Sequence, residues 1–379
     1  MKLVFVLLLF FSSHAGAFGI DKSLEILNML EQEKFQELDE AYRFYAEEYK
    51  KNQNEEENVS RFIAVFDRHL LWMEPKLRSW IDAMPDSYVP YLLYGIHNSA
   101  LGWESRGTEF IDKTTNKQVD KMTYHHNVAK KYLKKSLRLE KSQVHANSYL
   151  MYLAMANNSR TEINLYFDKA LKINPNSFVA HSFYSFSLLP RWGGSLEELA
   201  GFVEYIKTIS SNNPELKPFE GRLLIEVGDQ YFLNGQVDKA MEYYTKAEAF
   251  GDYWYLYYQM GMAYKKTKQY MKSIEYFNKS LDKLPTYEDV YFRKANAEMM
   301  SNLFRDAIES IGIALRLNGP NARYYSVRAQ CYARINKPDL AMKDVEESLL
   351  LNPDNKHVQD FKVFLENRLK SWIKFNKKG

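Results

Sequence analysis

The feature that most constrains this chain is a pattern that repeats about every 34 residues through its second half. Four units begin near Gly221, Trp254, Glu288 and Ala322. Each unit carries small residues at three fixed positions, and a bulky residue stands four places after the second of them. The small residues are Gly228, Gly261, Ala295 and Ala329, then Ala240, Ser273, Ala307 and Ala341, then Ala247, Ser280, Ala314 and Ser348; the bulky residues are Tyr244, Phe277, Ile311 and Val345.

Small residues at fixed positions let two antiparallel helices approach closely, and the bulky residue then fills the adjacent layer. A proline or glycine near the end of a unit, as at Pro285, Gly319 and Pro353, stops its second helix. One such pair cannot bury its own apolar face, so neighbouring pairs must stack. Residues 216–355 are therefore predicted to form four helix–turn–helix units of an α-solenoid, and they resemble tetratricopeptide repeats.

The rest of the chain also has a helical pattern, which makes the predicted fold class all-α. Gly (16) and Pro (11) are scarce and Tyr (28) and Phe (23) are plentiful, a composition that favours packed helices. Residues 18–213 are predicted to form an irregular helical-repeat domain continuous with the regular one. In residues 356–379, apolar side chains recur at helical spacing from Val358 to Trp372, which predicts a capping helix with a basic tail.

Three segments of the N-terminal half are unusual in composition. The first is rich in turn residues, and the other two combine tryptophan, arginine and glycine. They are Pro85-Asp86-Ser87, Gly102-Trp103-Glu104-Ser105-Arg106-Gly107 and Arg191-Trp192-Gly193-Gly194. Ser195 with Glu198 after the third segment predicts a capping box. Together the segments resemble the bacterial family described as domain of unknown function 4034, over roughly residues 24–205. The resemblance implies the architecture and a bacterial origin, and it brings no activity, ligand or catalytic residue.

Residues 1–17 have the pattern of a signal peptide. Lys2 precedes an apolar run from Leu3 to Phe11, and Ala15-Gly16-Ala17 has the small-residue form of a cleavage site. The run is too short to span a bilayer as a helix, which takes about 20 residues. We therefore expect an exported bacterial protein without a stable membrane insertion, with the periplasm as the default location and full secretion as the alternative.

Composition and motifs argue against several classes of function. A formal net charge of +3 is small for a nucleic-acid binder of this size. Adjacent His125 and His126 point to different helix faces, and His97 and Glu104 are too far apart on one face to share an ion, so no metal site is predicted. No phosphate-binding glycine loop or nucleophile elbow is present, and the expectation is a protein that is not an enzyme and has no cofactor.

The resemblance to tetratricopeptide repeats implies a concave groove lined by the first helix of each pair. A protein or peptide partner, with apolar anchors and some acidic character, is the predicted occupant. The oligomeric state is left open. The predicted groove residues are Arg222, Tyr255, Tyr258, Met262, Lys265, Phe292, Asn296, Met299 and Arg323.

The tryptophan and arginine segments offer a second candidate site. If the two helix ends converge, Trp103, Arg106, Arg191 and Trp192 would supply two flat faces and two guanidinium groups for a small or anionic envelope ligand. In the structural alternative, the tryptophans are core residues and the arginines satisfy carbonyl groups at helix ends. A hydrolase of the cell envelope is the least supported of the three functions.

Overall fold

A computed structural model of the protein describes residues 18–107, 113–211 and 213–376, with side chains up to residue 368. The predicted signal peptide and the last lysines of the basic tail lie outside these residues. All regular secondary structure in the described part is helical, which confirms the all-α solenoid. None of its helices is both long and apolar enough to cross a membrane.

The described part of the first half contains ten α-helices, which vary in length. Gly107 ends the fifth helix with φ 75°, a backbone conformation that favours glycine. Thr115 begins the sixth with a full capping box to Gln118. The ten helices are α1 (Ile20–Glu31), α2 (Phe35–Lys51), α3 (Glu56–Ala64), α4 (Met73–Ala83), α5 (Val89–Arg106), α6 (Asn116–Leu139), α7 (Val144–Met155), α8 (Arg160–Ile173), α9 (Phe178–Ser187) and α10 (Leu196–Ser210).

The second half consists of four helix pairs and a final helix, as the repeat predicts. A 3₁₀ helix, Pro214–Gly221, joins it to α10, and one hydrophobic cluster from Leu188 to Ala263 crosses this junction. The nine helices are α11 (Arg222–Leu233), α12 (Val237–Glu248), α13 (Trp254–Lys266), α14 (Tyr270–Lys283), α15 (Glu288–Met300), α16 (Phe304–Asn318), α17 (Ala322–Arg334), α18 (Pro338–Leu351) and α19 (Lys356–Asn376).

The small and bulky positions of the repeat meet inside each pair. A Cβ atom added to Gly228 would lie 2.5 Å from the Tyr244 ring, and one added to Gly261 would lie 2.6 Å from the Phe277 ring. Only glycine leaves room for these rings without a shift of the neighbouring helix. Where serine replaces alanine, its buried hydroxyl bonds to the facing helix, as Ser273 does to the Gly261 carbonyl at 2.8 Å.

Two local predictions need correction. Ser195 accepts a hydrogen bond from the Glu198 N–H at 3.1 Å, but the Glu198 carboxylate does not return the bond and lies 3.7 Å from Arg160 Nε. In α19, Val358 and Leu365 are buried, whereas Phe364 is 55% exposed, because Leu365 takes the next inward position after Val358. The outer face of the capping helix is therefore partly apolar.

The N-terminal helices are bonded to the second and third repeat units, although more than 200 residues separate them in the chain. Arg61 is buried and donates to the Asp282 carbonyl at 2.7 Å and to the Phe18 carbonyl at 2.6 Å. Arg68 is also buried and donates to the carbonyls of Leu317 and Thr286.

Asp282 and Leu317 lie in the last turns of α14 and α16, where carbonyls have no partner within the helix and the helix dipole is negative. Both guanidinium groups thus occupy sites that suit a cation. Residues from Phe18 to Ala180 share one hydrophobic cluster with residues from Phe277 to Cys331. The two halves of the chain are therefore one packed unit.

We expect Arg68→Met to lower the free energy of unfolding by roughly 2–4 kcal/mol, because two buried carbonyls lose a charged donor. Urea unfolding followed by circular dichroism measures this loss. The control is Arg78→Met, whose side chain is 53% exposed in an ion pair within α4. That change should cost less than ~1 kcal/mol. Equal effects of the two substitutions would show that Arg68 does not hold the halves together.

Candidate functional site

The predicted groove residues lie on the inner helices α11, α13, α15 and α17, and most are partly exposed. Tyr255, Tyr258 and Met262 lie on α13 and Phe292, Asn296 and Met299 on α15, while Arg323 at the start of α17 is exposed. Arg222 is the exception, because its side chain is completely buried. Its guanidinium carbon lies 5.2 Å from the Phe186 ring centre and 5.8 Å from that of Tyr255. Arg222 therefore lies beneath the groove surface, and its prediction as a surface residue is wrong.

Two carboxylates fix the tyrosine rings of the groove. Asp229, almost fully buried, accepts hydrogen bonds from the hydroxyls of Tyr255 and Tyr244, each at 2.8 Å. Asp289 accepts one from the Tyr258 hydroxyl at 2.9 Å and is paired with Arg293 Nε at 3.1 Å. Burial, the largest cause, raises the pKa of both groove tyrosines above the ordinary value. Both phenols are therefore neutral donors whose rings are held in place.

The other groove residues are mainly apolar, with one perturbed lysine. Met262, Phe292 and Met299 pack against the main hydrophobic cluster, and the Phe292 ring lies 5.0 Å from that of Tyr324. Asn296 donates to the Phe292 carbonyl at 2.7 Å. Burial lowers the pKa of Lys265, and the charge of Arg293 lowers it further. The groove thus presents apolar surface beside a cationic group whose charge is incompletely compensated.

The structure brings the two tryptophan-containing segments together. The rings of Trp103 and Trp192 meet edge to face with centroids 5.3 Å apart, and Arg106 lies 5.6 Å from the Trp192 ring centre. Trp103 also packs against Tyr152 at 4.9 Å. Both indoles are partly exposed, and Trp103 Nε1 is buried without a hydrogen-bond partner among the described residues.

Arg191 connects these segments to the groove. Its Nη2 atom lies 4.0 Å from Glu226 Oε2 on α11. Burial lowers the pKa of the Arg191 guanidinium, but Tyr255 and Glu226 raise it above the ordinary value. The two candidate sites predicted from the sequence therefore lie beside each other at Arg191 and Tyr255. The pattern of the repeat places Tyr255, but it says nothing about Arg191, which comes from the loop before α10.

Buried charged groups with atoms that lack hydrogen bonds among the described residues lie next to Arg191 and Tyr255. None of the three guanidinium nitrogens of Arg222 has a hydrogen-bond partner in the described part of the chain, and neither has Glu226 Oε2. Burial raises the pKa of Glu226, while Arg191 and Arg222 oppose the shift. Buried charges without hydrogen bonds are costly. Sequence reasoning missed Glu226, because it is one of many glutamates on predicted helices.

The histidines are structural groups in this fold. His97 and His126 are buried, and burial lowers the pKa of each to about 4. His145 bonds the Ser60 hydroxyl at 2.8 Å, and His181 bonds the Ser177 carbonyl at 2.7 Å. Among the described residues, no group of three or more His, Cys, Asp or Glu side chains is placed to hold a metal ion.

Two family models match parts of this chain. The model described as domain of unknown function (DUF4034) matches residues 114–209, and a tetratricopeptide repeat model matches residues 255–282 and 322–355. The first match covers α6–α10, a shorter region than the sequence motifs indicated. Of the three motif segments, only Arg191–Gly194 lies inside it.

Several solved structures are similar to stretches of this chain. The first tetratricopeptide domain of RPAP3 (Spaghetti), bound to an HSP90 peptide, is 24% identical over 31% of this chain and 93% of its own, with a TM-score of 0.30. MamA from Desulfovibrio magneticus is 16% identical over 40% and 85%, with a TM-score of 0.39. YrrB, a tetratricopeptide protein, is 13% identical over 61% and 97%, with a TM-score of 0.35. The chain thus combines a region that matches the DUF4034 family with tetratricopeptide repeats.

Proposed function

We propose that this protein is a binding scaffold that holds a peptide segment of another protein in its concave groove. The observation that carries the proposal is the pair Tyr255 and Tyr258, whose rings are partly exposed while their hydroxyls are bonded to Asp229 and Asp289. Rings fixed before binding lose little conformational entropy when a partner covers them. Tyrosine side chains of this kind are frequent centres of binding energy.

The chemistry of the partner follows from the neighbours of these rings. Met262, Phe292 and Met299 favour an apolar anchor beside Tyr258. Burial and the nearby Arg293 lower the pKa of Lys265, and a carboxylate of the partner would favour the charged form of this lysine. We therefore propose a peptide that combines an apolar anchor with an acidic residue. Such binding requires no catalytic group.

We expect Tyr258→Ala/Phe292→Ala to weaken capture of the partner protein at least ~10-fold, because it removes two central aromatic anchors. Affinity capture by the mature chain from its own envelope fraction, quantified by mass spectrometry, measures the effect after circular dichroism has verified folding. The matched control is Phe44→Ala/Tyr124→Ala, which removes two rings that are 62% and 58% exposed outside the groove. A partner retained by the groove variant, or lost equally from both, contradicts the proposal.

We also propose that the protein acts after export to the periplasm. The support is the leader pattern of residues 1–17 together with the burial of Phe18, whose ring lies 5.5 Å from that of Tyr45. Phe18, which follows the proposed cleavage site, is therefore a core residue. Mass spectrometry of the native protein should find a mature chain that starts at Phe18 in the periplasmic fraction. An intact Met1 in the cytoplasm would contradict export.

An anion-binding function at Arg191 and Arg222 is the second candidate. Its specific support is the buried guanidinium of Arg222 without a hydrogen-bond partner, together with Trp103, Trp192 and Arg191 on the adjoining surface. A carboxylate or phosphate group would supply the missing acceptors.

We expect inorganic phosphate to raise the melting temperature of the wild-type protein in a saturable manner and chloride at equal ionic strength not to do so. Arg191→Met should abolish this response, because it removes the more accessible of the two guanidinium groups. Arg138→Met, at an exposed position on α6, is the control and should keep it. Equal responses to both salts, or an unchanged response in Arg191→Met, would eliminate this candidate.

A further inference from the structure

A cleft of about 570 Å³ opens between α8, α9 and α10. None of its lining residues belongs to the concave groove or to the tryptophan and arginine segments. It exists because the loop from Leu188 to Ser195 separates α9 from α10, so these two helices do not pack along each other as the neighbouring pairs do. Its volume is within the range of small-molecule sites.

Four aromatic rings form most of the cleft wall. Phe167 and Tyr184 are stacked at 4.0 Å between centroids and 6° between planes. Phe202 lies 5.9 Å from Tyr184, and Tyr205 follows at 6.4 Å from Phe202 and is 38% exposed. The rings come from three different helices. Tertiary packing therefore gathers them, and no sequence repeat does.

The charge of the cleft is negative. Asp168 and Glu198 line it from α8 and α10, and no basic side chain is among its lining residues. Both carboxylates act on the phenol of Tyr184, whose pKa is raised chiefly by burial. Glu198 faces the cleft because it does not complete the capping box with Ser195.

The nearest basic side chain pairs with one of the two carboxylates. Arg160 lies 3.7 Å from Glu198 Oε1 and forms an ion pair with it, while its guanidinium also donates to the carbonyl and hydroxyl of Ser187. Asp168 has no basic neighbour among the residues that line the cleft. His181 is fully buried against the rings of Phe167, Phe202 and Tyr205, and its Nε2 atom has no hydrogen-bond partner among the described residues. Burial lowers its pKa to about 4, so it is neutral at pH 7.

We propose that this cleft binds an organic cation that carries an alkylated ammonium group. Aromatic faces attract a cation through their quadrupoles, and the attraction is strongest for cations with weakly hydrated alkyl substituents, as in quaternary ammonium recognition. The four rings supply apolar contact for the alkyl groups, and Asp168 and Glu198 supply the compensating charge. The unmodified lysine side chain of a protein carries a primary, strongly hydrated ammonium group and does not share this chemistry.

Gly201 gives the proposal a clean structural test. It lines the cleft from α10, and a Cβ atom added there would meet no atom within 4 Å. A leucine at this position would fill the cleft without displacing its neighbours, and replacing a helical glycine tends to stabilise a helix. Gly312 on α16 has equally open surroundings and lies outside the cleft, so it is the matched control.

The probes are choline, its neutral isostere 3,3-dimethyl-1-butanol and N-acetyl-lysine amide, each titrated into the mature protein. Binding is followed by nuclear magnetic resonance of ring-labelled tyrosine, with Tyr184 and Tyr205 assigned by substitution. We expect saturable shifts of these two signals with choline and no saturation with the isostere. Gly201→Leu and Asp168→Asn/Glu198→Gln should each weaken binding about tenfold or more, within the energy of a desolvated cation–aromatic contact.

The controls Gly312→Leu and Glu197→Gln should bind choline as the wild type does, because neither residue lines the cleft. Tighter binding of N-acetyl-lysine amide than of choline would overturn the proposal, because the lysine ammonium group is primary and strongly hydrated. Equal binding of choline and its isostere, an absence of saturable shifts, or unchanged binding in Gly201→Leu would overturn the proposal. The groove residues are intact in every variant, so the result is independent of the proposed peptide binding.

Discussion

The structure depends on two buried arginines that join its N-terminal helices to the second and third repeat units. Arg61 lies on α3 and Arg68 in the turn that follows it, and they donate to carbonyls in the last turns of α14 and α16, respectively. Those carbonyls would otherwise be buried without partners, and the negative helix ends would face apolar surface. In a linear solenoid, the helix ends along each side are open to solvent. Here the N-terminal helices cover the C-terminal ends of α14 and α16, and apolar residues of both halves form one cluster.

The loop before α10 also lies beside the candidate binding surface. Arg191 Nη2 is 4.0 Å from Glu226 Oε2 on α11, and Trp192 in the same loop packs against Trp103. The surface combines features that a simple repeat array lacks: rings fixed by buried carboxylates, a lysine with incompletely compensated charge, and an arginine beneath the surface without hydrogen bonds. Contact with a partner at each of these groups would contribute to the free energy of binding.

The same irregularity produces the cleft beside α10. In a regular pair, a small residue on one helix meets a bulky residue on the other, as Gly261 meets Phe277. At α9 and α10 the intervening loop prevents this contact, and Gly201 faces open space. Of the four rings, those of Tyr184 and Tyr205 remain partly accessible beside Asp168 and Glu198. A departure from the repeat has thus left room for a ligand.

The sequence by itself determined the all-α class, the four repeat units with the residue near which each begins, and the first helices of the pairs, which carry Tyr258 and Phe292. These follow from local spacing, because small and bulky residues at fixed intervals allow only one way to pack a helix pair. Only the tertiary structure decided that Arg222 is buried, that Arg68 reaches Leu317, and that Glu198 faces a cleft and leaves its capping box incomplete. These contacts join residues far apart in the chain, and periodicity carries no information about which distant surfaces meet.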